Sequence, residues 1–132
     1  SVTCRRMVTV PGVGAITALT FLTAIDDPAR FRRSSDVGAF LGLTPRRYQS
    51  GEVDLAGRIS KAGDRPARSL LFEAANALMT RVRHESSLRT WGLKLSAKIG
   101  SRRAKTAVAR KLAVLLHRIW VDGTEFDPAP AP

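Results

Sequence analysis

The sequence predicts a mostly α domain, helix-hairpin-helix-like in its first part, with one small β-hairpin or irregular insertion. Apolar residues recur at intervals of three and four over most of the 132 residues, and this spacing indicates helices with one buried face. The helical spacing disappears between residues 44 and 60, where glycines and short stretches of alternation indicate a hairpin or a loop. A hydrophobic share of 44% can build a core, and the length suits a single domain.

The first element is a helix-hairpin-helix unit near residues 10–25. Residues 11–14 read Pro-Gly-Val-Gly, which is typical of a tight turn. Apolar residues at helical intervals then predict a helix over 15–25. The first helix of such a unit would lie before or around Ser1, so we expect it to be largely missing.

Four further helices complete residues 1–121, which we expect to form one domain. The first is short and covers residues 35–41. Residues 122–132 are a Pro-rich tail that we expect to be unstructured. Before this tail, the other three of the four helices are basic and lie within residues 64–121. One runs from the N-cap Asp64 to about Arg83, one covers 88–99, and one runs from Ser101 to Trp120 or Val121.

The charge is large, positive and uneven. Twenty-two Lys and Arg against 11 Asp and Glu give a net charge of +11. Fifteen of the basic residues and only three of the acidic ones lie between Arg58 and Arg118. A field of this sign attracts polyanions, among which nucleic-acid backbones are the commonest in a cell. The composition therefore favours a nucleic-acid partner.

The same composition argues against several classes of protein. A single cysteine excludes an internal disulfide framework and a zinc site built from cysteines. Two well-separated histidines make a structural metal site unexpected. No stretch approaches the roughly 18 apolar residues that a membrane span needs, so we expect a cytoplasmic protein without a membrane partner.

The Gly-rich turn is the first candidate site. Gly12 and Gly14 would let the backbone approach a phosphate, and the amides that begin the next helix would bind it. An ordinary turn between a loop and a helix explains the same pattern, and the sequence leaves both interpretations open.

The last helix is the second candidate site. Apolar residues share one side, and the opposite side carries Arg103, Arg110, Lys111 and Arg118. A solvated face would normally include acidic residues, but none occurs between Glu85 and Asp122. We therefore favour contact with nucleic acid over plain solvation and over binding to a membrane surface.

The segment over 44–60 is the third candidate site. Ser50, with Arg46 and Arg47 close by, could be a nucleophile that faces a phosphate. From this pattern alone, an ordinary serine in a hairpin turn is the favoured explanation. After it, Arg58, Lys61 and Arg65 form a basic approach to the next helix, as phosphate contacts or as a solvated connector. His84 and His117 are expected at the surface or rim, and neither is assigned a catalytic role.

Five stretches, in this order and spacing, resemble one family. They are Pro-Gly-Val-Gly at 11–14, Ala-Phe-Leu-Gly-Leu-Thr-Pro at 39–45, Arg-Tyr-Gln-Ser-Gly at 47–51, Gly-Arg-Ile-Ser-Lys-Ala-Gly-Asp at 57–64 and Arg-Ser-Leu-Leu-Phe-Glu-Ala-Ala at 68–75. Together they resemble the C-terminal transposase domain of the bacterial insertion-sequence recombinases that use a bridge RNA.

The resemblance implies a function that composition does not reveal. In that family a serine of this domain is thought to attack DNA, and Ser50 is the matching position. The resemblance also implies DNA and a structured guide RNA as partners, and a homo-oligomeric full-length protein. The family's RNase-H-like domain, whose acidic residues bind Mg²⁺, is absent here, so we expect no cofactor in this chain. Alone, the chain should bind nucleic acid without recombining it. A non-enzymatic helix-hairpin-helix module and an inactive remnant are the alternatives.

Overall fold

The computed structural model describes residues 1–44 and 52–129, with the backbone but not the side chains of residues 52–64. Within these ranges the chain forms six α-helices and no strand. A 3₁₀ turn at Pro28–Arg30 lies between the second and third helices. The helices are α1 (Val2–Met7), α2 (Ala15–Ile25), α3 (Ser35–Phe40), α4 (Glu52–Thr80), α5 (Ser87–Ile99) and α6 (Ser101–Asp122).

Helix α6 is the centre of the fold. It contacts α1, α3, α4 and α5. Val108, Leu112 and Leu116 on its inner face are fully buried, and they belong to a single apolar core. The same core includes Phe21 of α2 and Leu78 of α4. The outward face of α6 is therefore held in place by packing along its opposite side.

Two glycines allow helices or turns to come unusually close. Gly12 has a φ of +88°, and a Cβ there would lie 2.6 Å from the carbonyl oxygen of Ala74. The turn before α2 therefore lies directly on the backbone of α4. A Cβ on Gly92 would lie 2.8 Å from Cγ2 of Val108, so α5 packs tightly against α6. Gly100 alone connects these two helices.

The predicted helix over 15–25 is confirmed, but the apolar stripe that indicates it is only partly buried: Ile25 is in the core, and Leu22 packs against it. Ile16 is 72% exposed and Leu19 is 53% exposed. Ala18 and Phe21 face the core instead. Because α2 is apolar almost all round, helical spacing identifies the helix without identifying its inner side.

The expected hairpin or loop over 44–60 is wrong from residue 52 onwards, and residues 45–51 lie outside the described residues. Helix α4 begins at Glu52, so the predicted start at Asp64 is also wrong. Apolar or small residues at 53, 56, 59, 63, 67, 71, 74 and 78 keep helical intervals through the whole segment. Gly57, Gly63 and Pro66 have low helix propensity, but propensity is a weak determinant that the rest of the structure can override.

Both ends of the described part of the chain are more ordered than the sequence predicts. A six-residue helix, α1, precedes the Gly-rich turn, whereas the sequence predicts that the first helix is largely missing. The tail is not unstructured over its described part: the Phe126 amide donates to Thr9 Oγ1 at 3.0 Å, and the Ser87 amide donates to the Pro128 carbonyl at 2.9 Å. These two bonds fix the tail against the turn after α1 and the start of α5.

Candidate nucleic-acid interface

The outward face of α6 carries three exposed cations. Arg103, Lys111 and Arg118 are all exposed, and at 100° per residue they fall within one arc of the helix. That arc lies opposite the buried face that Val108 and Leu112 define. A rigid helix thus presents a row of cations about 22 Å long, at about 1.5 Å per residue, which suits contact with a phosphate backbone.

Two other residues of α6, Arg110 and His117, are less exposed than these three cations. Arg110 is half-buried, and a Cβ on Gly38 would lie 2.7 Å from its Cγ. Its stem therefore packs against α3, and its position is fixed more firmly than that of its exposed neighbours. His117, expected at the surface or rim, is only 2% exposed. Helical spacing places His117 on the exposed side of α6 because this residue lies at the margin of the wide buried arc of the helix. His84 is at the surface, as expected.

His117 connects α6 to the segment before α3. Its Nε2 lies 2.9 Å from the Pro28 carbonyl oxygen, and its Nδ1 lies 2.7 Å from Ser34 Oγ. A carbonyl oxygen only accepts, so in the neutral ring Nε2 carries the proton and the Ser34 hydroxyl donates to Nδ1. Both ring nitrogens have partners within the fold, which makes His117 a structural residue.

The Gly-rich turn and the start of α2 form the second candidate surface. Gly14 is exposed, has nothing within 4 Å of an added Cβ, and precedes the first residue of α2. Within the described residues no side-chain cap is seen at this helix end, and Ala15 and Ile16 are exposed, so the first amides of α2 are accessible to an acceptor from outside. Gly12 lies against Ala74 instead, so its glycine requirement has a structural explanation.

The structure describes only some of the remaining predicted site residues. Arg65 is exposed on α4. Arg58 and Lys61 belong to the same helix, but their side chains lie outside the described residues. Arg46, Arg47 and Ser50 also lie outside the described residues. The proposed grouping of a serine with arginines stays a prediction.

A groove between α5, α6 and the tail is a feature that the sequence did not reveal. Its volume is about 650 Å³, and its lining includes Trp91, Lys111, Arg118 and Phe126. The Lys111 ammonium lies 4.9 Å from the centre of the Trp91 ring. Trp91 is half-buried beside this groove. The residues that line the groove come from α5, α6 and the tail, and no local pattern in the sequence predicts that these three segments meet.

The part of the chain that the structure describes contains neither a metal-binding cluster nor a membrane-spanning helix. No three His, Cys, Asp or Glu side chains there are placed to hold a metal ion together. None of the described helices combines the length and the apolar character needed to cross a bilayer.

Comparison with known proteins gives consistent matches. The model of the family described as "Transposase IS116/IS110/IS902 family" matches residues 4–91. The chain is 37% identical over 114 residues to "Transposase for insertion sequence element IS1111A" of Coxiella burnetii, a match covering 86% of this chain and 31% of that protein. It is 35% identical over 125 residues to the transposase for element IS1328 of Yersinia enterocolitica, covering 94% of this chain and 37% of the relative.

A shorter match has a different name. The pilin gene-inverting protein of Moraxella bovis is 34% identical over 70 residues, which is 52% of this chain and 22% of that protein. The chain spans about a third of the length of the two transposases described above. No solved structure matches the chain.

Proposed function

Because the chain belongs to the IS116/IS110/IS902 transposase family, we propose that it is the DNA-binding, catalytic part of an insertion-sequence transposase. In this proposal it supplies a serine nucleophile for DNA strand exchange. The relatives named as transposases support a role in transposition. The name of the pilin gene-inverting protein extends the family's range to DNA inversion, which also requires strand exchange.

The exposed cationic row on α6 is the observation that best supports DNA binding. Arg103, Lys111 and Arg118 project from one rigid helix, and the sequence contains no acidic residue between Glu85 and Asp122. Evenly presented cations bind the backbone of a duplex without reading its sequence. The open start of α2 at Gly14 would add a backbone contact of the helix-hairpin-helix kind. Half-buried Arg110 and exposed Arg65 would extend the basic surface.

A salt series tests the binding step. Affinity for duplex DNA should fall steeply with salt, with a slope of about 0.9 per phosphate contacted. Changing Arg103, Lys111 and Arg118 together to Gln should reduce that slope by about 2.7, the equivalent of three contacts.

A matched control removes the same charge elsewhere. Arg5, Arg81 and Arg83 are also exposed and lie outside α6. Their combined change to Gln should leave the slope within about 1 of the starting value. Equal effects of the two triple variants would show that net charge, and not the α6 face, controls binding.

Ser50 is the proposed nucleophile. Its Oγ would attack a backbone phosphorus, forming an Oγ–P bond while the bond from phosphorus to the leaving sugar oxygen breaks. A base would accept the hydroxyl proton, and the leaving sugar oxygen would gain one. Arg46, Arg47 and Arg58 would stabilise the charge on the phosphoryl oxygens.

Covalent capture tests the catalytic step in a full-length protein that contains this chain. The protein should form a covalent adduct with its DNA, and Ser50→Ala should abolish the adduct. Ser69, an exposed serine on α4, supplies the control, since Ser69→Ala should form the adduct normally. An adduct that persists in Ser50→Ala would assign the nucleophile elsewhere. DNA binding that never leads to an adduct would favour the alternative of a non-enzymatic binding module.

The partners beyond DNA follow from the same proposal. A structured guide RNA would occupy part of the basic surface, and the full-length protein would act as a homo-oligomer. Competition between labelled duplex DNA and structured RNA for the α6 face would reveal whether they share it.

A further inference from the structure

The groove between α5, α6 and the tail has a composition that backbone binding does not require. Its floor includes the half-buried side chains of Trp91, Leu115 and Phe126. Its volume of about 650 Å³ is in the range of sites that enclose a small molecule. A surface that only tracks phosphates needs cations and no apolar floor.

The lining of the groove carries charges of both signs. Lys111 and Arg118 line it from α6. Asp122, Glu125 and Asp127 line it from the end of α6 and from the tail. An occupant that fits this arrangement has a flat apolar body, an anionic group and hydrogen-bond donors.

The groove is held in shape by contacts around it. The Ser87 amide bonds to the Pro128 carbonyl at 2.9 Å, so the tail is attached to the start of α5. The Phe126 amide bonds to Thr9 Oγ1 at 3.0 Å. Because both contacts are already present, little ordering of the tail would accompany binding.

We propose that this groove binds one unstacked nucleotide of the nucleic acid that the α6 face holds. The base would lie on Trp91 and Phe126, and its phosphate would contact Lys111 and Arg118. Unstacked bases are commonly recognised in this way, by stacking on aromatic rings and by hydrogen bonds to their edges. This inference rests on the proposed function, because it takes the same face as the nucleic-acid contact.

The Lys111 ammonium now occupies one face of Trp91, 4.9 Å from the ring centre. At a partly exposed site, a cation over an indole ring is held more weakly than a stacked base. The incoming base therefore displaces the ammonium, which gains the phosphate as its partner.

The acidic rim predicts which bases the groove prefers. Carboxylates accept hydrogen bonds from exocyclic amino groups, which adenine, cytosine and guanine have; thymine has none, and its only base-edge donor is the ring N3–H. Asp127 Oδ1 already accepts from the Ala129 amide at 3.0 Å, so Asp122 and exposed Glu125 are the better-placed acceptors. An unstacked adenosine or cytidine should bind more tightly than an unstacked thymidine.

Hairpin DNAs that differ in a single unpaired nucleotide test the inference. The 132-residue chain should bind a hairpin with one bulged adenosine or cytidine about tenfold more tightly than the fully paired hairpin, from the stacking of one base. A bulged thymidine should give a smaller gain. Trp91→Leu should remove the gain and keep the affinity for the paired hairpin.

Two further variants complete the test. Trp120 lines a different surface, together with Leu19 and Leu22, so Trp120→Leu should keep the gain. Glu125→Gln, a change at an exposed position, should reduce the preference for adenosine over thymidine and covers the case in which Trp91→Leu does not fold.

The possible failures are distinguishable. Equal, salt-sensitive binding of paired and bulged hairpins would overturn the groove and leave the proposed function standing. A gain that persists in Trp91→Leu, or a base preference that is unchanged in Glu125→Gln, would also overturn it. The absence of binding to every hairpin at low salt would overturn both proposals.

Discussion

Gly12 and Gly14 stand two residues apart, but they meet different surroundings. Gly12 has a positive φ and lies against the backbone of α4, where a Cβ would be 2.6 Å from the Ala74 carbonyl oxygen. Gly14 has a φ of −96° and open space where its side chain would be. The fold therefore requires glycine at 12. At 14, no close contact requires it, and both an N-cap role and close approach of a ligand are consistent with glycine there.

Alanine substitutions separate these two roles. Gly12→Ala should lower the free energy of unfolding by about 2–3 kcal/mol, because it combines backbone strain with a steric clash. Gly14→Ala should cost less than about 1 kcal/mol of stability and weaken duplex binding roughly fivefold, the equivalent of about one lost hydrogen bond. Urea unfolding and a binding isotherm measure the two effects. Unchanged affinity in Gly14→Ala would remove the start of α2 from the interface.

At this scale, helical spacing predicts the exposure of side chains better than it predicts contacts between distant segments. The cations at 103, 111 and 118 are exposed as their helical spacing predicts. His117 is buried and bonds to Pro28 and Ser34, which lie 89 and 83 residues away in the sequence. Helical periodicity contains no information about contacts of that separation.

At the scale of whole helices, predicted ends are accurate where glycine or a cap residue fixes them. The observed bounds of α2, α5 and α6, which adjoin Gly14 or Gly100, agree with the predicted bounds within a residue or two. Helix α4 is the exception, because Pro66 lies inside it. A proline near a helix start is favourable, but a proline in the interior removes one hydrogen bond and clashes with the preceding turn. Local preference therefore places the start too late.

Replacing Pro66 tests the length of α4. With the helix beginning at Glu52, Pro66→Ala should raise the free energy of unfolding by about 2 kcal/mol, since it restores a backbone hydrogen bond to the carbonyl of residue 62. The midpoint of urea unfolding measures this. Arg65→Ala, at the adjacent exposed position, should change stability by less than about 0.5 kcal/mol. A neutral or destabilising Pro66→Ala would favour a helix that begins near Asp64.

At the scale of the whole molecule, the net charge of +11 acts against the compact state. Like charges on a small domain repel one another, and salt screens this repulsion. Bound DNA neutralises the same charges but is released as salt rises. Salt should therefore stabilise the free chain and destabilise the complex.

Thermal unfolding measures both effects on one scale. Raising NaCl from low concentration to about 0.3 M should increase the Tm of the free chain, because the Debye length falls below about 10 Å. Duplex DNA at about 100 times its Kd should add about 2.7 kcal/mol of stability at low salt. For a domain of this size that equals a Tm rise of about 10 °C, which the same increase in salt should largely abolish. A Tm that moves in one direction with salt in both samples would show that the surface charge and the DNA contacts are not the same groups. In that case the cationic row on α6 would lose its place as the centre of the interface.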